Sequence, residues 1–191
     1  KAQTAQAEKL AIGAYAANMV PPGSVLYLDA GTTVLEIARK LAPRDDLTVV
    51  TNDFAVAGLL SAESRCKLIH TGWLVERENQ SGVGEIAADT IMGFNFDIAF
   101  TSTSSFGLRG VSTPTEAKVT VKRAITRSAA RNVLVTDSSK YGLVAAYKAI
   151  PLDALTDLVT DSGLPDSARS AIADKGVTLH IVDSLNQGST A

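Results

Sequence analysis

Short apolar runs rich in Val, Ile and Leu recur along the chain, and segments with helical spacing separate them. The runs contain no polar alternation, which is typical of strands that are covered on both faces of a sheet. The pattern predicts strands at residues 25–28, 47–50, 66–69, 97–100, 132–135, 157–159 and 177–182. Strands that alternate with helices predict an α/β fold with a mostly parallel sheet, flanked by helices on both faces.

The helical pattern is clearest in two segments. Small and apolar residues between positions 117 and 129 lie on one helical face, whereas lysines such as Lys122 lie elsewhere on the helix. The first 20 residues are rich in Ala, and they predict a helix that ends before the Pro-Pro-Gly of residues 21–23.

Length and composition indicate one compact domain. The chain has 191 residues, of which 46% are hydrophobic and 20% charged. No linker rich in Pro, Gly or Ser divides it, so we expect a single domain over residues 1–183 and a flexible tail over residues 184–191. No apolar run approaches the roughly 20 residues of a transmembrane helix, and the first residues do not resemble a secretory signal.

Charge and cysteine content narrow the class of protein. Eighteen Lys and Arg against twenty Asp and Glu give a formal net charge of −2, so we do not expect this chain alone to neutralise DNA phosphates. The single cysteine, Cys66, indicates a reducing compartment and is expected to pack in the core. His70 and His180 give no metal-ligand spacing with it, so we expect neither a metal nor a cofactor.

Polar side chains follow the predicted strands where each strand stops. In an open parallel sheet, ligands bind beyond the carboxyl ends of the strands. These groups are therefore expected to face one crevice. They are Asp29, Gly31, Thr32 and Thr33; Thr51 and Asn52; Thr71 and Gly72; residues 101–105, which include Ser102 and Ser104; residues 136–140; and Thr160 and Asp161.

Two of these strand ends suggest anion binding. After Gly31, Thr32 and Thr33 are expected to open a helix whose free amides attract a phosphate. Lys140 can supply a positive charge at the same edge. An ordinary strand-to-helix turn and a solvated surface lysine are the alternatives for the same residues.

The motifs, taken in chain order, form a recognisable series. They are DAGTT (29–33), VTN (50–52), HTG (70–72), DIAF (97–100), FGLRGVST (106–113), TEAKVTVKRAI (115–125), VTDSSKYG (135–142) and LTDLVTD (155–161). This series resembles the C-terminal sensor domain of DeoR-family bacterial transcriptional regulators, and the resemblance covers nearly the whole chain.

The resemblance implies a fold related to ribose-5-phosphate isomerase A and the CoA-transferases. It also implies that a phosphorylated sugar or polyol binds at the sheet edge and changes DNA binding by an N-terminal helix-turn-helix domain, which this sequence lacks. We therefore expect the effector-binding half of a cytoplasmic transcriptional regulator that acts as a repressor. It should act as a homo-oligomer, reach operator DNA only through the absent domain, and have no membrane partner.

The resemblance also assigns roles to residues. It implies Asp29, Gly31, Thr32 and Thr33 as the phosphate or hydroxyl cradle, Thr51 and Asn52 beside it, Lys140 as the charge partner, and Glu116 and Lys122 from the matching helix. The sequence departs from the family at Trp73, because the family commonly has a second glycine after the one matched by Gly72.

A sugar-phosphate isomerase is the main alternative, with Glu116 as the general base. Such an enzyme has a second acidic residue three positions after the first. In this chain the residue three positions after Asp97 is Phe100, which is not acidic. It also has a lysine upstream of the base, where residues 107–115 contain only Arg109 as a cation. We therefore favour binding without turnover. A structural oligomerisation domain is a third interpretation, but it leaves the polar strand ends unexplained.

Overall fold

The computed structural model describes residues 2–183, with twelve strands and six α-helices in that range. The strands are β1 (Val25–Leu28), β2 (Thr48–Thr51), β3 (Lys67–His70), β4 (Leu74–Glu76), β5 (Ser81–Val83), β6 (Ile98–Thr101), β7 (Ser105–Gly107), β8 (Gly110–Thr113), β9 (Asn132–Val135), β10 (Tyr147–Ile150), β11 (Asp157–Asp161) and β12 (Thr178–Val182). The helices are α1 (Ala2–Ala17), α2 (Thr32–Leu41), α3 (Phe54–Glu63), α4 (Glu85–Met92), α5 (Glu116–Ser128) and α6 (Asp166–Ala173). Short 3₁₀ helices lie at Ser138–Lys140 and Leu152–Ala154.

Seven strands form one parallel sheet in the order β12-β11-β9-β6-β1-β2-β3. These are the seven predicted strands, and the predicted α/β class with a mostly parallel sheet is confirmed. The apolar runs predicted them because β1, β6, β9 and β11 are buried along almost their whole length. Several boundaries differ from the prediction by one or two residues, as at β2 and β11.

Helices cover both faces of this sheet. On one face, α1, α2 and α3 pack through residues such as Ile12, Ile37 and Leu60 against alternate strand residues that include Leu26. On the other face, α4 and α5 pack against Tyr27 and its neighbours, while α6 packs against the β9 and β11 side. Since successive residues of a strand point to opposite faces, both faces of β1 are apolar and covered.

Two small antiparallel sheets were not predicted. One is a three-stranded sheet in the order β10-β8-β7, and the other is the β4–β5 hairpin. Their strands are three or four residues long. β5, β7 and β8 contain Gly and Ser, and β4 and β10 each contain a charged residue, so they lack the apolar runs that identified the central sheet. Within residues 2–183, no helix combines the length and the apolar character needed to cross a membrane.

Two helix predictions need correction. The first helix ends at Ala17 rather than Val20, because Asn18 and Met19 continue it as tighter turns, with amides bonded to carbonyls three residues back. Lys122 was placed away from the apolar face of its helix, but it is buried, for a reason given below. The expected flexible tail at 184–191 lies outside the described residues.

A polar network fastens α1 to the edge of the sheet. The Tyr15 hydroxyl lies 2.9 Å from Nδ1 of His180, and Nε2 of His180 lies 2.7 Å from Oδ1 of Asp157. Arg131 donates two further hydrogen bonds to the Asp157 carboxylate, at 2.8 and 2.7 Å. His180 is thus held at the sheet edge, as expected for a packing role. Cys66 is partly buried and packs against the apolar core between the sheet and helices α1, α2 and α3.

Candidate functional site

A polar cavity of about 370 Å³ lies beyond the carboxyl ends of β1, β6 and β9. It is lined by residues from five regions together with the β4–β5 turn: α1, the start of α2, the loop after β6, the segment from β8 into α5, and the segment after β9. The lining residues are Lys9, Ala30, Gly31, Thr32, Thr33, Glu78, Asn79, Ser102, Thr103, Ser104, Ser112, Thr113, Pro114, Lys118, Lys122, Thr136, Asp137 and Lys140. The first strand end and Lys140 therefore share one cavity, as the strand-end argument required.

Gly31 is required where the β1 end meets the β6 end. A β-carbon at this position would overlap the Ser102 side chain, so only glycine allows the two loops to approach. The Gly31 amide donates to the Asp53 carboxylate at 3.0 Å and is not free for a ligand. Burial raises the pKa of Asp53, which also caps α3 by accepting from Ala55 and Val56.

The N-terminus of α2 opens toward the cavity without a cap. Gly31 has no side chain to accept from the first turn, so the amides of Thr32, Thr33 and Val34 lack both an intrahelical partner and a capping partner. Such a terminus combines aligned donors with the positive end of the helix dipole, which favours an anion.

A buried ion pair between Lys122 and Asp29 lies at the wall of the cavity. Nζ of Lys122 is 2.7 Å from Oδ2 of Asp29, and it also donates to the Ser102 carbonyl at 2.7 Å. The Ser102 amide donates to the same Asp29 oxygen at 3.1 Å. These bonds join α5, β1 and β6, and they explain why Lys122 is buried despite its charge.

A second ion pair holds the β4–β5 hairpin beside the cavity. Nζ of Lys118 lies 2.7 Å from the Glu76 carboxylate, which also accepts from the Thr115 hydroxyl at 3.1 Å. Two other lysines at the cavity wall, Lys9 and Lys140, have no carboxylate within salt-bridge distance in the part of the chain that the structure describes. Within that part of the chain, Lys9 and Lys140 are therefore the lysines of the wall without an ion pair, and the Glu78 and Asp137 carboxylates line the same cavity.

A small recess of about 20 Å³ adjoins the main cavity, with which it shares Lys122. Asp29, Asn52 and Asn79 line it. The Asn52 amide donates to the Gly82 carbonyl at 2.9 Å, but its Oδ1 is buried with no donor among the residues that the structure describes. The space holds about one water molecule or one hydroxyl group, and the free Oδ1 would accept a hydrogen bond from either.

The predicted site residues divide into three groups. Those that line the main cavity are Gly31, Thr32, Thr33, Ser102, Ser104, Lys122 and Lys140. Asp29 and Asn52 line the small recess. Thr51, Thr71, Gly72 and Glu116 line neither space.

The residues outside the cavity have other environments. Thr51 is fully buried and donates to the Leu28 carbonyl at 2.7 Å, so its hydroxyl serves the sheet. The Gly72 amide donates to Nδ1 of His70 at 2.9 Å, and the Thr71 hydroxyl is buried without a partner in the described chain. Glu116 is exposed at the start of α5.

Trp73 does not reach the cavity wall. It is 61% exposed and has a φ of 81°, in the left-handed region that residues with a β-carbon rarely adopt. Gly72 before it has a φ of 66°. The backbone conformation at position 73 therefore suits glycine, and this chain carries a tryptophan there.

The sequence interpretation missed six polar cavity residues, which are Lys9, Glu78, Asn79, Ser112, Thr113 and Lys118. Lys118 could have been found, since it precedes Lys122 by four residues and so shares its helix face. Lys9 and the β4–β5 turn gave no signal, because only the packing of α1 and the unpredicted hairpin brings them to this edge of the sheet.

The fold and cavity define a ligand-binding α/β domain. Residues 4–162 match the family described as the DeoR C terminal sensor domain, and the chain belongs to that family. The prediction of a sensor domain from a DeoR-type transcriptional regulator is thereby confirmed.

Relatives support this assignment. The chain is 47% identical over 182 residues to an uncharacterized HTH-type transcriptional regulator of Haemophilus influenzae, covering 95% of this chain and 71% of the relative. It is 50% identical over 179 residues to the HTH-type regulator YgbI of Escherichia coli, covering 94% and 70%. It is 32% identical over 160 residues to the transcriptional repressor AccR of Agrobacterium fabrum, covering 83% and 62%.

Two of the solved structures that resemble this chain share its fold at low identity. RipA from Yersinia pestis matches with a TM-score of 0.57 and 14% identity, over 89% of this chain and 50% of RipA. The eIF2B beta subunit from Chaetomium thermophilum matches with a TM-score of 0.57 and 13% identity, over 88% and 53%. Ribose 5-phosphate isomerase A from Methanocaldococcus jannaschii gives a TM-score of 0.49 and 17% identity, over 70% and 53%.

Proposed function

We propose that the main cavity binds a phosphorylated sugar or polyol, and that its occupancy changes DNA binding by the helix-turn-helix region of the full-length repressor. One observation carries the proposal. A single polar cavity joins the uncapped N-terminus of α2 to two lysines, Lys9 and Lys140, that have no carboxylate partner among the described residues.

The phosphate would face the N-terminus of α2. The amides of Thr32 and Thr33 are donors fixed by the helix, and the Thr32 and Thr33 hydroxyls lie beside them. Lys140, at the end of the 3₁₀ helix after β9, adds a positive charge to the lining of the same cavity. Fixed amides with a lysine point charge are a common phosphate-binding combination.

The hydroxyl groups would face the recess. Asp29 and Asn52 present acceptor oxygens there, which suits the O–H donors of a sugar or polyol. The main cavity, at about 370 Å³, lies at the small end of the roughly 300–1,000 Å³ range of small-molecule sites. The polar lining and the volume together favour a compact, hydroxylated anion.

We further propose that the domain binds this effector without converting it. Isomerisation requires a carboxylate base within reach of the substrate carbon. Glu116, the candidate base, is exposed and lines neither space. Among the carboxylates at the two spaces, Asp29 is held by Lys122 and by the Ser102 amide, and Asp137 accepts from the Ser139 amide and hydroxyl, while Glu78 lies in the β4–β5 turn.

The full-length protein is proposed to work in the cytoplasm, where bacterial operator DNA lies, and as a homo-oligomer. Residues 1–183 would form the sensor, and an N-terminal helix-turn-helix domain would contact the DNA. Adding effector to the full-length repressor should weaken its operator affinity, and an unchanged affinity at saturating effector would contradict the proposal.

A thermal unfolding screen tests effector binding directly. Ribose 5-phosphate, glucose 6-phosphate and glycerol 3-phosphate are each compared with the unphosphorylated compound at constant ionic strength. A ligand at 100 times its Kd stabilises the native state by about 2.7 kcal/mol. At least one phosphorylated compound should raise the Tm while its free counterpart does not.

Two variants and one assay complete the screen. Lys140→Gln should weaken the stabilisation, whereas Lys175→Gln, an exposed lysine outside the cavity, should not. Equal stabilisation by free and phosphorylated compounds would contradict the phosphate site. Conversion of ribose 5-phosphate to ribulose 5-phosphate by the purified chain would establish the isomerase instead.

A further inference from the structure

Lys9 is the contribution of α1 to the cavity wall within the described residues. Lys9 is half-buried, and it differs from Lys118 and Lys122 at the same wall in its ion pairing. Lys118 and Lys122 each have a carboxylate oxygen at 2.7 Å, whereas Lys9 has no such partner in the described part of the chain. A half-buried ammonium group that is not ion-paired can donate to an anion in the adjoining space, whose lining also includes the Glu78 and Asp137 carboxylates.

The helix that carries Lys9 packs closely on α2. Gly13, one turn after Lys9 and on the same helix face, approaches Glu36 of α2 so closely that an added β-carbon would lie 2.6 Å from the Glu36 β-carbon. The later part of α1 is also held by Tyr15, which hydrogen-bonds His180. The position of Lys9 relative to the α2 N-terminus is therefore set by direct helix contact.

We propose that Lys9 donates a hydrogen bond to the anionic group of the bound effector and thereby ties α1 to the occupied cavity. This inference rests on the proposed function, since it concerns the same anion. With the cavity filled, the anion bridges Lys9, the first turn of α2 and Lys140. α1 gains a contact that the empty domain does not offer, so ligand binding and the position of α1 are thermodynamically linked.

The consequence concerns how the signal leaves the domain. α1 is the first helix of the described chain, and in the proposed full-length regulator the DNA-binding region precedes it. A ligand contact made by α1 itself needs no long relay through the core. Lys9 would thus act both as an effector ligand and as the residue that reports occupancy to α1.

Inorganic phosphate is a suitable probe because it contains the proposed anion without the sugar. Its Kd is measured by calorimetry at constant ionic strength for the full chain and for Lys9→Gln, Lys140→Gln and Lys40→Gln. Lys40 is exposed on α2 and lines neither space, so it is the matched control. We expect Kd to rise about 10-fold or more in Lys9→Gln and Lys140→Gln, and to stay unchanged in Lys40→Gln.

Hydrogen exchange of residues 6–17 measures the link to α1. Saturating phosphate should slow amide exchange in this segment of the original chain, and it should fail to do so in Lys9→Gln. Exchange that slows equally in both proteins at saturation would overturn the role of Lys9 in the link. Circular dichroism melts confirm that the variants remain folded.

The outcomes separate the two proposals. If the original chain binds no phosphate, the proposed function fails and this inference fails with it. If the original chain binds phosphate and Lys140→Gln weakens binding while Lys9→Gln does not, only the role of Lys9 is overturned. Weak binding in both variants, with exchange in residues 6–17 that phosphate no longer slows in Lys9→Gln, supports the inference.

Discussion

Nζ of Lys122 lies 2.7 Å from Oδ2 of Asp29, and both side chains are almost completely buried. Each charge compensates the other, so removing one leaves an unpaired buried charge. Such a loss costs roughly 3–5 kcal/mol in buried pairs. We expect Asp29→Asn to lower the free energy of unfolding by about 3 kcal/mol, measured by urea denaturation.

A double variant separates the ion pair from simple loss of packing. Asp29→Asn combined with Lys122→Met removes both charges and should recover part of the lost stability. If the double variant is as unstable as the sum of the single variants, the two residues act independently and the compensating role is wrong.

The second prediction concerns Gly31, whose missing β-carbon makes room for Ser102. Gly31→Ala forces the β1 and β6 loops apart and should destabilise the domain by about 1–3 kcal/mol. Gly58→Ala is the matched control, because Gly58 lies within α3 with open space around it. That change should stabilise the domain by about 0.5–1 kcal/mol, since alanine favours helix.

Ser102→Gly offers a rescue of the same site. Combined with Gly31→Ala, it removes the overlapping side chain and should restore most of the stability lost, in urea unfolding. Stability that stays low in the double variant would mean that the backbone at Gly31, rather than contact with Ser102, requires glycine.

The fold could be predicted from sequence largely because its strands are buried on both faces. β1 and β9 were predicted with their observed bounds, since their apolar runs stop sharply at polar loops. The β4–β5 hairpin was missed because Leu74 and Val75 are exposed and Gly82 interrupts β5. β5 is also held by the chain that follows β2, since the Gly82 amide donates to the Asn52 carbonyl at 2.8 Å, and such a bond leaves no apolar pattern in the sequence.

Only those residues of the candidate site that follow the parallel strands could be predicted, because the sheet topology alone places them. Parallel strands bring their carboxyl ends together, so Thr33 and Lys140 could be placed at one edge without coordinates. Lys9 could not, because its approach depends on how α1 crosses α2 at Gly13. Thr51 shows the opposite error, since its strand-end hydroxyl is used by the neighbouring Leu28 carbonyl.

The third prediction concerns the pH dependence of stability. Burial alone would raise the pKa of Asp157, but hydrogen bonds from Arg131, His180 and Thr156 outweigh it and hold the pKa well below its usual value. A carboxyl whose pKa is lower in the folded state stabilises the fold above its unfolded pKa of about 3.9. This contribution is lost as the pH falls from there through the folded pKa.

Asp157→Asn tests this dependence. The variant should be less stable than the original chain at pH 7, and the difference in free energy of unfolding should narrow as the pH falls below about 4. Urea unfolding between pH 3 and pH 7 measures both curves. A difference that is constant across this range would show that ionisation of the Asp157 carboxyl group does not contribute to the free energy of unfolding.

The last prediction concerns Trp73, which has a φ of 81° and is 61% exposed. Residues with a β-carbon in this region carry about 1–3 kcal/mol of strain, while an exposed side chain loses little burial when it is removed. We expect Trp73→Gly to stabilise the domain by about 1 kcal/mol, seen as a higher Tm. Leu74→Gly, at a similarly exposed residue inside β4, should instead destabilise it, because glycine weakens strands. A Tm that falls in Trp73→Gly would show that the indole contributes more packing than its exposure suggests.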